Sequence, residues 1–191
     1  VAELFLAGVI LPSGRIDKKM AKRTDRLKPE DRTRSYILHR GSPSVRVTQN
    51  DVRAIQLAKA ALYAGARLLM EHLGIEEVDR IRLAGAFGSH IDVKYAMLLG
   101  MIPDCALERV SSAGNAAGTG AIMALLNAES RRTIESRVRR VEKVETAVES
   151  DFQEYFVAAM ALPHATEAFP HLAEHVRFPS SGPVAPVRVA K

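Results

Sequence analysis

One cysteine, Cys105, stands alone among 191 residues. No internal disulfide can form, and no cysteine cluster is available to hold zinc or an iron–sulfur centre. No apolar run approaches the roughly 20 residues that a membrane-spanning helix requires, which excludes a membrane partner of that kind. The opening stretch from Val1 to Ile10 is apolar but has neither an initiating methionine nor a basic flank, so it does not read as a signal peptide. Leu4, Ala7 and Leu11 instead follow helical spacing, and the chain is expected to begin inside a larger protein. Cytoplasm is the default location that these absences leave.

What is present is ordinary for a globular protein with a core: 47% hydrophobic and 26% charged residues. The net charge of +5 is concentrated in two runs, eight basic residues from Lys18 to Arg34 and six from Arg131 to Lys143. Both runs include Asp or Glu and have few aromatics. They fit a loop and a solvated helix face, and no nucleic-acid partner is expected. His164, His171 and His175 invite a metal, but their spacing matches no ligand motif and Pro170 interrupts them; no metal site is assigned.

Along the chain, residues 1–11 predict a helix stopped by Pro12-Ser13-Gly14, followed by a very polar stretch from Arg15 to Arg34, either a mobile connection or a peripheral excursion. Tyr36 to His39 and Val45 to Val47 predict a hairpin. Thr48 with Asp51 resembles a capping box opening a helix over about 50–73, with Gly74 closing it. Ile55, Ala58, Leu62, Leu69 and Leu73 are its apolar stripe, and Gln49, Gln56 and Lys59 lie near that face, either as ligand contacts or as solvent-exposed polar residues. Later segments predict a helix from Asp92 to Leu99, a strand over 109–112, a helix over 121–126, a basic helix over 131–140, a strand over 141–147 and a helix from Phe152 capped by Ser150-Asp151. An irregular tail follows Pro163.

The stretch Arg80-Ile81-Arg82-Leu83-Ala84-Gly85-Ala86-Phe87-Gly88 alternates like a half-buried strand and then runs into small residues. Asp92 can cap the helix beyond it. Strand, glycine turn and helix start suit a nucleotide, because free N–H groups and a positive dipole end meet there; ordinary α/β chain routing uses the same pattern. A second unit follows, in which Ser112 leads into Gly114-Asn115-Ala116-Ala117-Gly118-Thr119-Gly120 and an apolar helix. Two such units about thirty residues apart point to one composite pocket.

Four segments in order, Thr48 to Arg53 with Gln56 to Ala61, Leu83 to Gly88, Gly114 to Ala121, and Phe152 through Phe156 to Pro163, together resemble the C-terminal region of the reductive activators of corrinoid proteins. The resemblance implies an α/β lobe of the actin and heat-shock-chaperone ATPase type (ribonuclease H-like), with a mixed sheet and flanking helices. Residues 1–163 would form the second lobe, entered mid-domain, and 164–191 an irregular Pro- and His-containing tail. It further implies a parent that reduces cobalt(II) corrinoid proteins to cobalt(I) for methyl transfer, using ATP, Mg²⁺ and an iron–sulfur cluster carried by the parent alone. Implied partners are a corrinoid protein, a nucleotide and a second copy of the chain. Implied nucleotide contacts are Gly85, Ala86, Phe87, Gly88, Ser112, Gly114, Asn115, Gly118 and Gly120, with Gln49 and Asp51 bordering the cleft. No catalytic residue is assigned, and an isolated lobe is expected to be incomplete without the phosphate-binding turns. The alternatives are a docking or dimerisation module of the same fold and a small-molecule kinase relative.

Overall fold

Thr48 starts the element on which the rest is assembled. Its hydroxyl accepts the Asp51 N–H at 3.2 Å while the Asp51 carboxylate accepts the Thr48 N–H at 2.8 Å. Two N–H groups that a helix start would otherwise leave bare are thereby satisfied. From this box runs helix α2, Gln49–His72, and Gly74 beyond it takes φ +65°. The computed structural model describes residues 1–179 apart from 87, 89 and 147.

The expected apolar stripe of α2 faces the wrong way. Ala58, Leu62, Leu69 and Leu73 are exposed and Ile55 only half-buried, whereas Val52, Gln56, Lys59, Ala60, Tyr63, Ala64, Leu68 and Met70 are buried. Counting apolar residues at helical spacing chose the Leu-rich side, but packing chose the side whose polar groups find partners. Gln49 donates to the Gly14 carbonyl at 2.8 Å and accepts the Ile16 N–H at 2.9 Å. Gln56 donates to Ser13 O at 3.1 Å and Met160 O at 2.6 Å. The Lys59 ammonium donates to the carbonyls of Ala161 and Pro163, and the Tyr63 hydroxyl to Glu167. Residues 49, 56, 59 and 63 recur at helical spacing, so one face of α2 ties together turns from both ends of the chain. Gln56 and Lys59 are therefore buried rather than solvated, and Gln49 is half-buried.

At the N-terminus, helix α1 is shorter than predicted, Ala2–Leu6. Gly8 at φ +70° turns the chain, and Ile10 then bridges Ile16 around the Pro12-Ser13-Gly14 turn. The polar excursion is also ordered: a 3₁₀ turn at Lys18–Lys22 leads to strand β1, Leu27–Glu30. With β2, Thr33–His39, and β3, Val45–Thr48, it forms an antiparallel sheet in the order β1-β2-β3, so the predicted hairpin gains a third strand.

Strand β4, Ile81–Ala84, lies parallel to β5, Val110–Gly114. A parallel pair needs a crossover connection, here carrying helix α3, Val93–Leu98, capped by Asp92. Helices α4, Ala116–Leu126, and α5, Ala128–Val138, follow, then α6, Phe152–Ala158, which packs on α2. The predicted strand over 141–147 is absent: residues 141–146 form coil and turn, their valines separated by charges, while 147 lies outside the described residues. Asp151 stands at the start of α6 without a side-chain cap bond. The tail is not irregular throughout, because Pro170–His175 forms helix α7. Asp104 accepts the His171 and Leu172 N–H groups at 2.9 and 3.1 Å, and Leu172 is fully buried. The core combines Phe5, Val9 and Ile10 with Val52, Tyr63, Met97, Leu98, Leu162 and Leu172.

Candidate functional site

The ends of β4 and β5 bring two glycine loops side by side. Their register pairs Leu83 with Ser112 and Ala84 with Gly114, with an irregularity between Leu83 and Ala84. Just past that point, the Gly85 N–H donates to the Gly114 carbonyl at 2.8 Å. The bond joins loops that lie far apart in sequence and fixes their relative height. Both glycines sit where L side chains are strained, φ +100° at Gly85 and +57° at Gly114. Among the described residues, a Cβ placed on either would meet nothing within 4 Å. Their backbone therefore faces open space, and a flat ligand can lie directly against it.

Gly88 does different work. It is buried, and a Cβ there would lie 2.7 Å from the Leu83 carbonyl oxygen. The loop can fold back over its own strand only without a side chain. Ala86 forms part of the turn between them, while Phe87 lies outside the described residues.

In the second loop, the Ser112 Oγ accepts the Gly114 N–H at 3.1 Å and the Asn115 carboxamide accepts the Gly118 N–H at 2.9 Å. Asn115 is thus the cap of α4, and the helix begins at Ala116. Gly118 and Gly120 belong to its first turns, not to a loop as the small-residue run suggested. Asn115 offers the capping side chain that lets the helix start early. A Cβ on Gly118 would lie 2.5 Å from that amide, so any side chain there would oblige the Asn115 carboxamide to shift. The start of this 11-residue helix leaves N–H groups and the positive end of its dipole beside Gly114.

Open glycine backbone on one side and a helix start on the other fit a nucleotide. Gln49 and Asp51, by contrast, spend their side chains on Gly14, Ile16 and Thr48. The Thr48 N–H holds the Asp51 carboxyl below the usual carboxylate range.

Sequence reading missed that Lys59 is buried, on the carbonyls of Ala161 and Pro163. Burial lowers the Lys59 pKa to about 7. Burial likewise raises the Tyr63 hydroxyl well above its ordinary value, assisted by its bond to Glu167, and lowers His164, whose ring stacks 4.9 Å from Tyr63. The available signal was the recurrence of polar residues on one face of α2. Cys105 is buried, which raises its thiol above the ordinary value and makes it inert rather than reactive. Among the described residues no group of three or more His, Cys, Asp or Glu could hold a metal, and no helix is long and apolar enough to cross a membrane.

Residues 1–173 match the family described as the C-terminal domain of RACo, the ASKHA domain. A curated protein, the corrinoid activation enzyme RamQ of Eubacterium limosum, is 42% identical over 113 residues, which cover 58% of this chain and 19% of that protein. Among solved structures, a reductive activator for corrinoid,iron-sulfur protein superposes with a TM-score of 0.72 at 29% identity, covering 85% of this chain and 27% of that one. The chain therefore spans about a fifth of the length of the one and about a quarter of the other.

Proposed function

The chain belongs to the family of RACo C-terminal ASKHA domains, and from that premise we propose that it is part of an ATP-dependent activator that reduces cobalt(II) corrinoid proteins to cobalt(I). The named activities of RamQ and of the structural relative support this reading. The observation that carries it is the bond from Gly85 to Gly114, which sets two open glycine loops against the start of α4. In this proposal the nucleoside packs on the bare backbone of Gly85, Ala86 and Gly114, and the first N–H groups of α4 face its phosphates. Ser112, Asn115 and Gly118 keep that helix start in place, and Gly88 lets the first loop close; Phe87 is a further proposed nucleoside contact. ATP, when bound, supplies the free energy for moving an electron uphill onto cobalt. Mg²⁺ would be held chiefly by the phosphates and water, its usual mode beside a nucleotide.

The electron must come from a cluster ligated outside this chain, whose only cysteine is Cys105. The corrinoid protein is the proposed partner and the cytoplasm the proposed location. Titration of isotopically labelled protein with ATP tests the site. Shifts at the Gly85, Gly114 and Gly118 amides are expected; saturation of ATP binding elsewhere with these amides unmoved would overturn it.

One observation favours a docking role beside this one. Helix α4 leaves Leu125 and Leu126 77% and 79% exposed, with Ile122 and Met123 also open. Light scattering across a concentration series detects self-association through this face, and Leu125→Lys should abolish it.

A further inference from the structure

The basic run that reads as a loop in the sequence builds one side of a concave site. A cleft of about 410 Å³ lies between the turn after α1, the β1–β2 hairpin and the first turns of α2. Arg15 and Lys18 enter it from the turn, Arg32 and Arg34 from the hairpin, and Arg53 from α2, with Asp31 the one carboxylate among its lining residues. None of the five cations forms an ion pair among the described residues. Glu30, the other carboxylate of the hairpin, is held by Arg46 at 2.8 Å.

The walls are braced before any ligand arrives. Gln49 and Gln56 clamp residues 13–16 onto α2, and the hairpin is fixed by its pairing of Glu30 with Thr33. Gln49, Asn50 and Arg53 from the first turns of the 24-residue helix α2 line the same cleft. Five like charges converging from three elements outweigh the single carboxylate of Asp31, and a bound anion relieves their mutual repulsion. Arginine forks match phosphate oxygens in geometry as well as charge. The volume lies at the lower end of the ~300–1,000 Å³ common for small-molecule sites.

We propose that this cleft binds a small polyanion carrying two or more phosphate groups. None of the glycines at the ends of β4 and β5 lines it, so the site is additional to the nucleotide contacts proposed above.

Calorimetric titration of the full chain with inorganic pyrophosphate, tripolyphosphate and ATP tests this. One saturable site is expected for tripolyphosphate, weakening as salt rises because exposed charges are screened. Arg32→Ala with Arg53→Ala should lower the affinity about tenfold or more, the loss of two charge-assisted contacts. Arg137→Ala with Arg139→Ala on α5 removes the same charge and should leave the affinity unchanged. Circular dichroism checks that each variant is folded; these arginines are exposed, and among the described residues none of their side chains forms an ion pair. If ATP also loses affinity in the cleft variant, the phosphate belongs to a nucleotide; if only the inorganic polyphosphates do, it belongs to another phosphorylated compound, and either result supports the site. Absence of saturable polyphosphate binding, an equal loss in the α5 variant, or loss of tripolyphosphate binding in Gly85→Val overturns it. The last result would assign the anion to the glycine loops.

Discussion

The backbone N–H of Gly85 donates to the carbonyl of Gly114 at 2.8 Å, so two loops separated by a whole crossover act as one surface. Each is left-handed at its glycine and, among the described residues, open above it. The relation makes the pair, not either loop, the unit that a ligand would meet.

Gly85→Val and Gly114→Val should therefore each act twice. A β-branched residue at positive φ costs about 1–3 kcal/mol of stability, seen in urea unfolding. The new side chain also fills the open space over the loop, so ATP affinity should fall by more than stability does. Comparing binding by folded protein with the unfolding midpoint separates the two effects.

Lys59 predicts how stability varies with pH. Its native pKa of about 7 lies below the ordinary 10.5, so between these values the unfolded chain binds a proton that the native one has released. Stability should climb with pH across that window, by about 1.4 kcal/mol for each unit of the shift. Tyr63 acts in the opposite sense: its raised pKa keeps the native hydroxyl protonated, and stability falls once pH passes 10.0, where the unfolded tyrosine ionises. His164, lowered by burial, adds a loss below pH 6.5. These three groups place the peak of the unfolding free energy between pH 10 and 10.5, and Lys59→Met should remove the rise that starts at about pH 7.

Gln56→Ala should destabilise the protein by about 1–3 kcal/mol, because it orphans the buried carbonyl of Met160 and releases that of Ser13. Thermal unfolding checks the size. A second readout is local: amide exchange should quicken at residues 13–16 and 160–163 together, although they lie at opposite ends of the chain.

Asp104→Ala should cost about 1 kcal/mol, as expected for losing a helix cap. Its carboxylate holds the His171 and Leu172 N–H groups and the His171 ring. The effect should appear as fraying of α7, read from increased proteolysis between residues 165 and 176, with α2 and its capping box unaffected.

Much of the fold is legible in the residues because it rests on local chemistry. Thr48 and Asp51 announce α2, Asp92 announces α3, and alternation marks β2, β3 and β4. The combination of these segments with the two glycine units is specific enough to resemble the family to which the chain belongs. Long-range partners are what the sequence leaves unspecified. Apolar periodicity placed Ile55, Leu62, Leu69 and Leu73 inward, yet carbonyls of residues 13, 160, 161 and 163 draw Gln56 and Lys59 into the core. Those carbonyls have no signature in composition, since every residue carries one. The same limit hid the cleft: Arg15, Arg32 and Arg53 are scattered along the chain, and only the hairpin's position on α2 makes them neighbours. Backbone preference at a turn or cap is written in a few adjacent residues, whereas the convergence of charges is set by how whole elements pack.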